Sequence, residues 1–282
     1  MIETQPREIA RGKTKVLVQA PDAADEVEVH NMDFITAGDG ARKDSFLRKG
    51  EYSTQTNDSV FTLLNSCGVP TAYVRRTGPS TFRAKKVRML PYEAVGIFKV
   101  AAASSARKRD PSLQVGQEFM FGKYALFLKT TGKTFGPYTF EKDDPFITSS
   151  TEDGLMVCRP DLPVGTDNVP IRVRPEYVFP DGIVHPFDEM RALVGQVGNI
   201  LSAAWAQLGC TLYDFKIELA FLPDGELVVA DVIDNDSWRL VDENGQHLDK
   251  QRYRDKDTPL EVVAALYAEV AARSEGLKSI RW

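Results

Sequence analysis

The sequence predicts an α+β protein built as two lobes, an antiparallel N-terminal sheet lobe and a larger α/β lobe behind it. Three observations carry this. Short runs rich in β-branched and aromatic residues crowd the first hundred positions. Longer helical stripes gather toward the C-terminus, which is the pattern of an α+β chain. A length of 282 residues at 43% apolar composition can bury a core in each of two lobes. The division expected along the chain is 1–95 and 96–282, with an irregular arm at about 129–186 in the second lobe.

Residues 7–19 and 26–35 read as two strands around the polar loop PDAADE, a hairpin. Residues 52–67 read as a helix with Val60, Phe61, Leu64 and Cys67 on one face and Gly68 as its stop. TAYVRRTG, STFRAKKVRML and EAVGIFKV follow as strands. From 129 to 186 the periodicity fades and six prolines fall between Pro160 and Pro186, so strands or loops forming an arm or lid are expected. From 188, Met190, Leu193, Val194, Val197, Ile200, Leu201, Ala204, Trp205 and Leu208 recur at helical spacing, with Gly209 as the stop. A hairpin over 211–233 follows. The last helix is expected to start at Thr258-Pro259 with Glu261 completing a capping box.

Composition excludes several classes of function. A net charge of -5 argues against a general nucleic-acid surface. No apolar run approaches the roughly 20 residues of a membrane span, and no signal peptide opens the chain. Cys67, Cys158 and Cys210 have neither disulfide-framework nor zinc spacing, so reduced thiols in a cytoplasmic protein are expected.

The chemistry concentrates in TLYDFKIELAFLPDGELVVADVIDNDSWRL, residues 211–240. Strand alternation puts Asp214, Lys216 and Glu218 on one face and Phe215, Ile217 and Leu219 on the other. Asp224-Gly225 is a favoured two-residue hairpin connection, and counting back from it sets Glu218 across from Asp231. Like charges roughly 5 Å apart repel, so a cation is expected between them. Mg²⁺ suits such hard oxygens, taking one or two carboxylates and completing its shell with water and phosphate. An acid pair relieved by Lys216 or another lysine is the competing reading. Beyond the strand, Arg239 offers a planar fork to a carboxylate or phosphate, or to a neighbouring aspartate.

Near the N-terminus, alternation through Arg11-Gly12-Lys13-Thr14-Lys15 puts Lys13 and Lys15 on one face, in reach of a polyphosphate. Gly12 would let a ligand approach the backbone. The spacing is neither that of a Walker loop nor that of a dinucleotide fingerprint. The stretch from Thr36 to Lys43, with Asp39 and Arg42, is a tight turn that could meet an anion or simply connect two strands.

Together RGKTK (11–15), ITAGDGARK (35–43), LYDFKIE (212–218), ADVIDNDSWRL (230–240) and KQRYRD (250–255) resemble the SAICAR synthetase family. The likeness is greatest to the synthetase part of the bifunctional animal purine enzyme, and with no carboxylase segment following, a stand-alone synthetase is expected. The resemblance implies a two-lobed fold with an ATP cleft between the lobes, Mg²⁺ as cofactor and a homo-oligomer. It implies ATP-dependent joining of the carboxylate of CAIR to the amine of L-aspartate through an acyl phosphate. Gly12, Lys13 and Lys15 would hold phosphates, Met89 and Leu90 would line the adenine edge, and Glu218 and Asp231 would bind Mg²⁺. Glu218 would thereby also belong to the ATP site. Asp39, Arg42, Asp214, Lys216, Arg239 and Arg254 would surround the phosphoribosyl carboxylate substrate, with Lys129 and Asp144 on the aspartate side. Among these, Lys216, Asp214 and Arg239 would carry the catalytic roles.

The sequence departs from the family at one place. An arginine-bearing strand that ends in Gly-Ser is replaced by EAVGIFKV, with Ile97 or Phe98 near the arginine position. Lys99 is its stand-in, and Ser104 or Ser105 takes the serine's place. A related ligase acting on a different heteroaromatic carboxylate or amine is therefore an alternative, and a nucleotide-binding protein without catalysis is another.

Overall fold

A computed structural model describes residues 7–130, 134–139, 144–179, 182, 187–255 and 257–282, without the side chains of Asp39 and Thr134. In chain order the elements are β1 (Glu8–Arg11), β2 (Lys15–Gln19), β3 (Glu26–Asn31), β4 (Phe34–Ala37), β5 (Arg42–Ser45), α1 (Lys49–Ser66), β6 (Tyr73–Arg76), β7 (Thr81–Lys85) and β8 (Arg88–Lys99). They continue with α2 (Ala106–Arg109), β9 (Glu118–Leu128), β10 (Thr134–Phe135), β11 (Tyr138–Thr139), β12 (Phe146–Thr151), β13 (Gly154–Cys158), β14 (Ile171–Val173) and α3 (Phe187–Gln207). Then come β15 (Cys210–Phe221), β16 (Leu227–Ala230), β17 (Trp238–Asp242), α4 (Gln251–Arg254) and α5 (Leu260–Ser274).

Two compact units result, and neither is one stretch of chain. The first comprises Met1–Arg88, Ile200–Leu212 and Ala220–Trp282, and the second Met89–Asn199 and Tyr213–Leu219. Compactness thus divides the chain differently from a single cut at 95. The C-terminal helix α5 returns to pack on α1, and the middle of β15 is built into the second unit's sheet.

In the first unit an antiparallel sheet runs in the order β1-β2-β3-β7-β6. The expected hairpin is β2–β3, with Leu17 opposite Val29. Val16, Val18, Val27 and Val29 alternate inward, as a half-buried strand requires. The expected strand 7–19 is broken at Gly12–Thr14, where Gly12 N–H donates to the Lys15 carbonyl at 2.9 Å. Lys13 therefore lies in a bend, and strand alternation with Lys15 does not apply to it. Helix α1 starts three residues before the expected 52, and Val60, Phe61 and Leu64 are buried. Helix α5 begins as expected after Pro259, but no side chain caps it, so the capping box does not form.

In the second unit the sheet order is β14-β13-β12-β9-β8-β15. Strand β15 also pairs with β16 and β17. The expected arm is mostly an extension of this sheet. Phe146 on β12 pairs with Phe127 on β9, and Leu155 on β13 pairs with Val173 on β14. Ile147, Leu155, Val157 and Val173 are buried, so the segment has a core side and is not an irregular lid. Short apolar runs between prolines hid this alternation. Residues 131–133, 140–143, 180–181 and 183–186 of that stretch lie outside the described residues. Met89 to Lys99 form one continuous strand despite Pro91, whose carbonyl accepts from Lys129 N–H at 2.8 Å. The stripe on α3 is packing, with Met190, Val194, Val197, Leu201, Ala204 and Trp205 all buried.

Candidate active site

The hairpin that carries the chemistry has a different turn from the expected one. Gly225 N–H donates to the Leu222 carbonyl at 3.0 Å, and Leu222 N–H donates to the Glu226 carbonyl at 2.9 Å. Gly225 has φ +92°, so the loop is a β-turn followed by a glycine bulge, three residues long instead of two. Leu222 is thus paired with Glu226, not Leu227, and the register shifts by one. Burial agrees, since Ala220, Leu222, Val228 and Ala230 share one apolar cluster. The two-residue register that would set Glu218 opposite Asp231 does not form. Asp231 instead follows the last residue of β16 and has φ +65°. That left-handed conformation is uncommon outside glycine and marks a held position.

In the first unit Asp231 meets Lys15, whose ammonium contacts its carboxylate across 216 positions of sequence. The Lys13 side chain lies over the turn at Gly38–Gly40, its Nζ 3.7 Å from where a Cβ on Gly40 would stand. Asp39 occupies that turn. Gly12 closes the tight connection that carries both lysines. Arg42 donates to the Tyr253 carbonyl at 2.7 Å and stacks on the Tyr253 ring at 4.1 Å. The exposed Arg254 is the next residue, so the structure brings these two arginines to one locality. Tyr253 in turn donates to Asp44 at 2.8 Å. Arg239 lies on β17, half-buried.

In the second unit the face of β15 is charged, as alternation requires. Phe215, Ile217 and Leu219 are buried, while Lys216 and Glu218 are half-buried on the other side. Asp214 on that face is buried as well, at 8% exposure. Lys216 pairs with Glu93 on β8 at 2.9 Å, and Glu218 pairs with Lys129 at 2.6 Å. Thr130, next to Lys129, donates its backbone N–H to Asp144, which places these two expected residues together. Met89 is 42% exposed on β8, and the adjacent Leu90 is buried.

Lys99 does not stand as an isolated cation. It pairs with Glu118 at 3.0 Å and lies 5.4 Å from the Tyr213 ring. The hydrogen bond to Glu118 raises its pKa above that of an ordinary lysine. Ile97 is buried with Val100, Ala106 and Leu113. Ser104 is buried and Ser105 is exposed just before α2.

Glu218 and Asp231 are each a hard oxygen donor of the kind Mg²⁺ takes. Among the described residues no three or more of His, Cys, Asp and Glu cluster as a full metal cage. Mg²⁺ does not need one, because water and phosphate oxygens supply most of its shell. Glu218 and Asp231 each offer a carboxylate, at 17% and 29% side-chain exposure.

Sequence reasoning missed Glu93, the partner of Lys216, and a buried cluster behind Asp231. Lys49, at 2% exposure, lies 3.7 Å from Asp234 and 3.5 Å from Asp236. Asp236 also meets Lys250 at 3.3 Å and accepts from the Tyr267 hydroxyl. Burial resists the charge on Asp236, yet Lys49 and Lys250 hold its pKa well below the carboxylate range. Burial pushes Lys250 down and, helped by Asp236, pushes Tyr267 well up. The one available signal was a lysine opening a helix whose first turns are rich in Ser, Thr and Asn instead of apolar residues.

Comparison with known proteins identifies the family. The sequence profile of SAICAR synthetase matches residues 8–141 and 179–272. A phosphoribosylaminoimidazole-succinocarboxamide synthase of Chloroflexus aurantiacus is 34% identical over 269 residues, covering 94% of this chain and 92% of that protein. The bifunctional phosphoribosylaminoimidazole carboxylase and succinocarboxamide synthetase of Drosophila melanogaster is 33% identical over 249 residues, 87% of this chain and 51% of that protein. A SAICAR synthetase solved in complex with ADP superposes with a TM-score of 0.73 at 25% identity, over 95% of this chain and 97% of that one. Among the described residues no helix is long and apolar enough to cross a membrane. The chain belongs to the SAICAR synthetase family, whose members are ATP-dependent amide-forming ligases.

Proposed function

We propose that this chain joins the carboxylate of CAIR to the amine of L-aspartate at the expense of ATP, as a cytoplasmic enzyme of purine biosynthesis. The observation that carries the reading is the contact between Lys15 and Asp231. It joins two matched segments far apart in sequence, and puts a phosphate-binding cation beside a hard oxygen donor. Lys13 and Lys15, presented by the Gly12 turn, hold the phosphates of ATP, and Met89 and Leu90 follow the adenine edge. Glu218 and Asp231 are the carboxylates for Mg²⁺. Bound there, Mg²⁺ would offset phosphate charge that otherwise repels an incoming carboxylate.

The substrate carboxylate attacks the γ-phosphate, giving an acyl phosphate and ADP. The amine of aspartate then adds to the acyl carbon and phosphate departs. Arg42, Arg239 and Arg254 hold the anionic substrate, while Asp39, Asp214 and Lys216 orient it. Lys129 and Asp144 serve the aspartate side. Lys99, with Ser104 and Ser105, serves the carboxylate substrate. Much of the rate then comes from alignment.

The test is ADP release by the purified chain with Mg-ATP and CAIR, with and without L-aspartate. Turnover that requires both supports the reading. Asp231→Asn is expected to abolish that turnover while leaving the fold near intact, and a fully active variant removes Asp231 from the metal site. A second reading is favoured by Ile97, buried among apolar side chains, and by Lys99, already paired with Glu118. A ligase for another heteroaromatic carboxylate would be recognised by turnover with that acid and not with CAIR.

A further inference from the structure

Asp231 carries strain that something must hold, and the surroundings of the segment after it show what does. Helix α1 buries polar residues along its first half, Lys49, Ser53, Thr54, Thr56, Asn57 and Ser59, and apolar ones only after them. A helix buried this way gains little from its apolar face there, so the polar groups need partners. Thr54 bonds to Asn31 and Gly50, and Ser59 to Gln55 and Glu275, whereas Asn57 and Lys49 find their partners on the segment from Asp231 to Ser237. The Asn57 side-chain oxygen accepts from Ile233 N–H at 2.9 Å, and both groups are buried. Lys49 meets Asp234 and Asp236. The segment also folds on itself, with Asp236 N–H donating to Asp234 at 2.8 Å and the Ser237 hydroxyl donating to the Val232 carbonyl at 3.1 Å.

We infer that Asn57 and Lys49 are positioning residues, which hold residues 231–237 so that the Asp231 carboxylate stays aimed beside Lys15. Neither touches Asp231 itself. Asn57 fixes the backbone two residues after it, and Lys49 anchors the carboxylates three and five residues after it. Released from Asn57, the backbone at Asp231 can leave the left-handed conformation, and its carboxylate then spends less time near the lysine. The inference rests on the reading of Asp231 as a metal ligand, and its test has one arm that does not.

The experiment compares Asn57→Ala with the parent chain, with Lys49→Met as a second variant. Removing Lys49 leaves two buried carboxylates short of a partner and can unfold the protein, so Asn57→Ala is the deciding variant. Amide hydrogen exchange is measured over 231–239 and over the β2–β3 hairpin in both proteins. Mg-ATP affinity is measured by calorimetry, and the Mg²⁺ dependence of turnover is measured where turnover exists. Loss of one buried hydrogen bond predicts about a tenfold rise in the Mg²⁺ concentration for half-maximal rate and a similar loss of Mg-ATP affinity. The rate at saturating Mg²⁺ is expected to stay near that of the parent, and exchange to rise over 231–239 alone. Unchanged exchange over 231–239 overturns the inference, as does exchange that rises equally in the hairpin, which is the mark of general destabilisation. Faster local exchange with unchanged Mg-ATP affinity also overturns the link to the metal. Should the parent show no ligase turnover at all, the functional reading fails, while exchange and calorimetry still decide the role of Asn57.

Discussion

Two glycines three positions apart on α3 are expected to respond to alanine with opposite signs. Gly195 has room, since a Cβ there would stand 3.6 Å from the Tyr124 ring, an ordinary contact. Gly195→Ala should therefore show the helix preference alone, about 1 kcal/mol of added stability. A Cβ at Gly198 would come within 2.7 and 2.8 Å of two ring carbons of Phe215 and 3.1 Å of Phe98. The Phe215 ring is 1% exposed and cannot retreat, because a Cβ built on Gly96 would fall 2.3 Å from the same ring carbon. The ring is wedged between a glycine of β8 and a glycine of α3.

Overpacking of a filled core costs about 1–3 kcal/mol, and the wedged ring puts Gly198→Ala at the upper end. Subtracting the helix gain of about 1 leaves roughly 2 kcal/mol of net loss. At about 2–4 °C per kcal/mol, the melting temperature should rise by about 2–4 °C for Gly195→Ala and fall by about 4–8 °C for Gly198→Ala. Thermal unfolding followed by circular dichroism reads both. A Gly198→Ala protein as stable as the parent, or two variants shifting in the same direction, would refute the wedge. The consequence reaches function, because Phe215 separates Asp214 from Lys216 on β15. Gly198→Ala should also lower the rate at saturating substrate, whereas Gly195→Ala should not.

Three further outcomes are expected. The Tyr92 hydroxyl is buried without a hydrogen-bond partner among the described residues, so Tyr92→Phe should be neutral or add up to about 1 kcal/mol in urea unfolding. A loss of that size would mean the hydroxyl has a partner. The His247 ring Nδ1–H donates to the Asp249 carboxylate at 3.0 Å, and that hydrogen bond raises the pKa of His247 above its usual value. A raised folded pKa means that its contribution is complete below about pH 6.5 and is lost as pH rises through the folded value. The urea midpoint of the parent should fall across that window, and His247→Gln should flatten the fall; an equal slope in both would exclude this histidine. Lys99→Ala should raise the KM for the carboxylate substrate about tenfold with little change in kcat if Lys99 holds that substrate, and unchanged kinetics would leave it as the partner of Glu118 alone.

The fold is legible in the sequence wherever local physics decides the outcome. Alternation located the charged and apolar faces of β15, because Phe215, Ile217 and Leu219 must be buried for the strand to sit in its sheet. Helical spacing located α1 and α3 for the same reason. The turn was decided by a finer preference. Asp-Gly suits both a two-residue turn and a β-turn followed by a bulge, and Pro223 ahead of it favours the second by presetting the first turn residue. The sheet within 129–186 was obscured because β13 and β14 are joined by proline-rich chain with no period of its own. The cluster around Lys49 was beyond reach, because its members come from positions 49, 234, 236, 250 and 267 and meet only after folding.

The shifted register changes the argument for the metal without removing its participants. Direct opposition across a hairpin would have forced Glu218 and Asp231 together by strand geometry alone, with repulsion as the reason for a cation. In the structure that compulsion is absent, and each carboxylate has a lysine instead, Lys129 for Glu218 and Lys15 for Asp231. Alternation governs Glu218, since it lies within β15, but it cannot govern Asp231, since a positive φ past the end of β16 turns the side chain out of the strand's pattern. Such a conformation costs about 1–3 kcal/mol at a residue other than glycine, and it persists only where the surroundings impose it. One more residue of strand, in the register with Leu222 opposite Glu226, would set Asp231 opposite the buried Ile217 on the apolar face. That the chain turns there instead, and that Asn57 and Lys49 are buried to hold residues 232–237 behind it, ties the strain to the direction in which the carboxylate points. An Asp231→Gly protein should therefore be at least as stable as the parent while losing turnover, and a clear loss of stability would show that the left-handed turn is held for packing and not for chemistry.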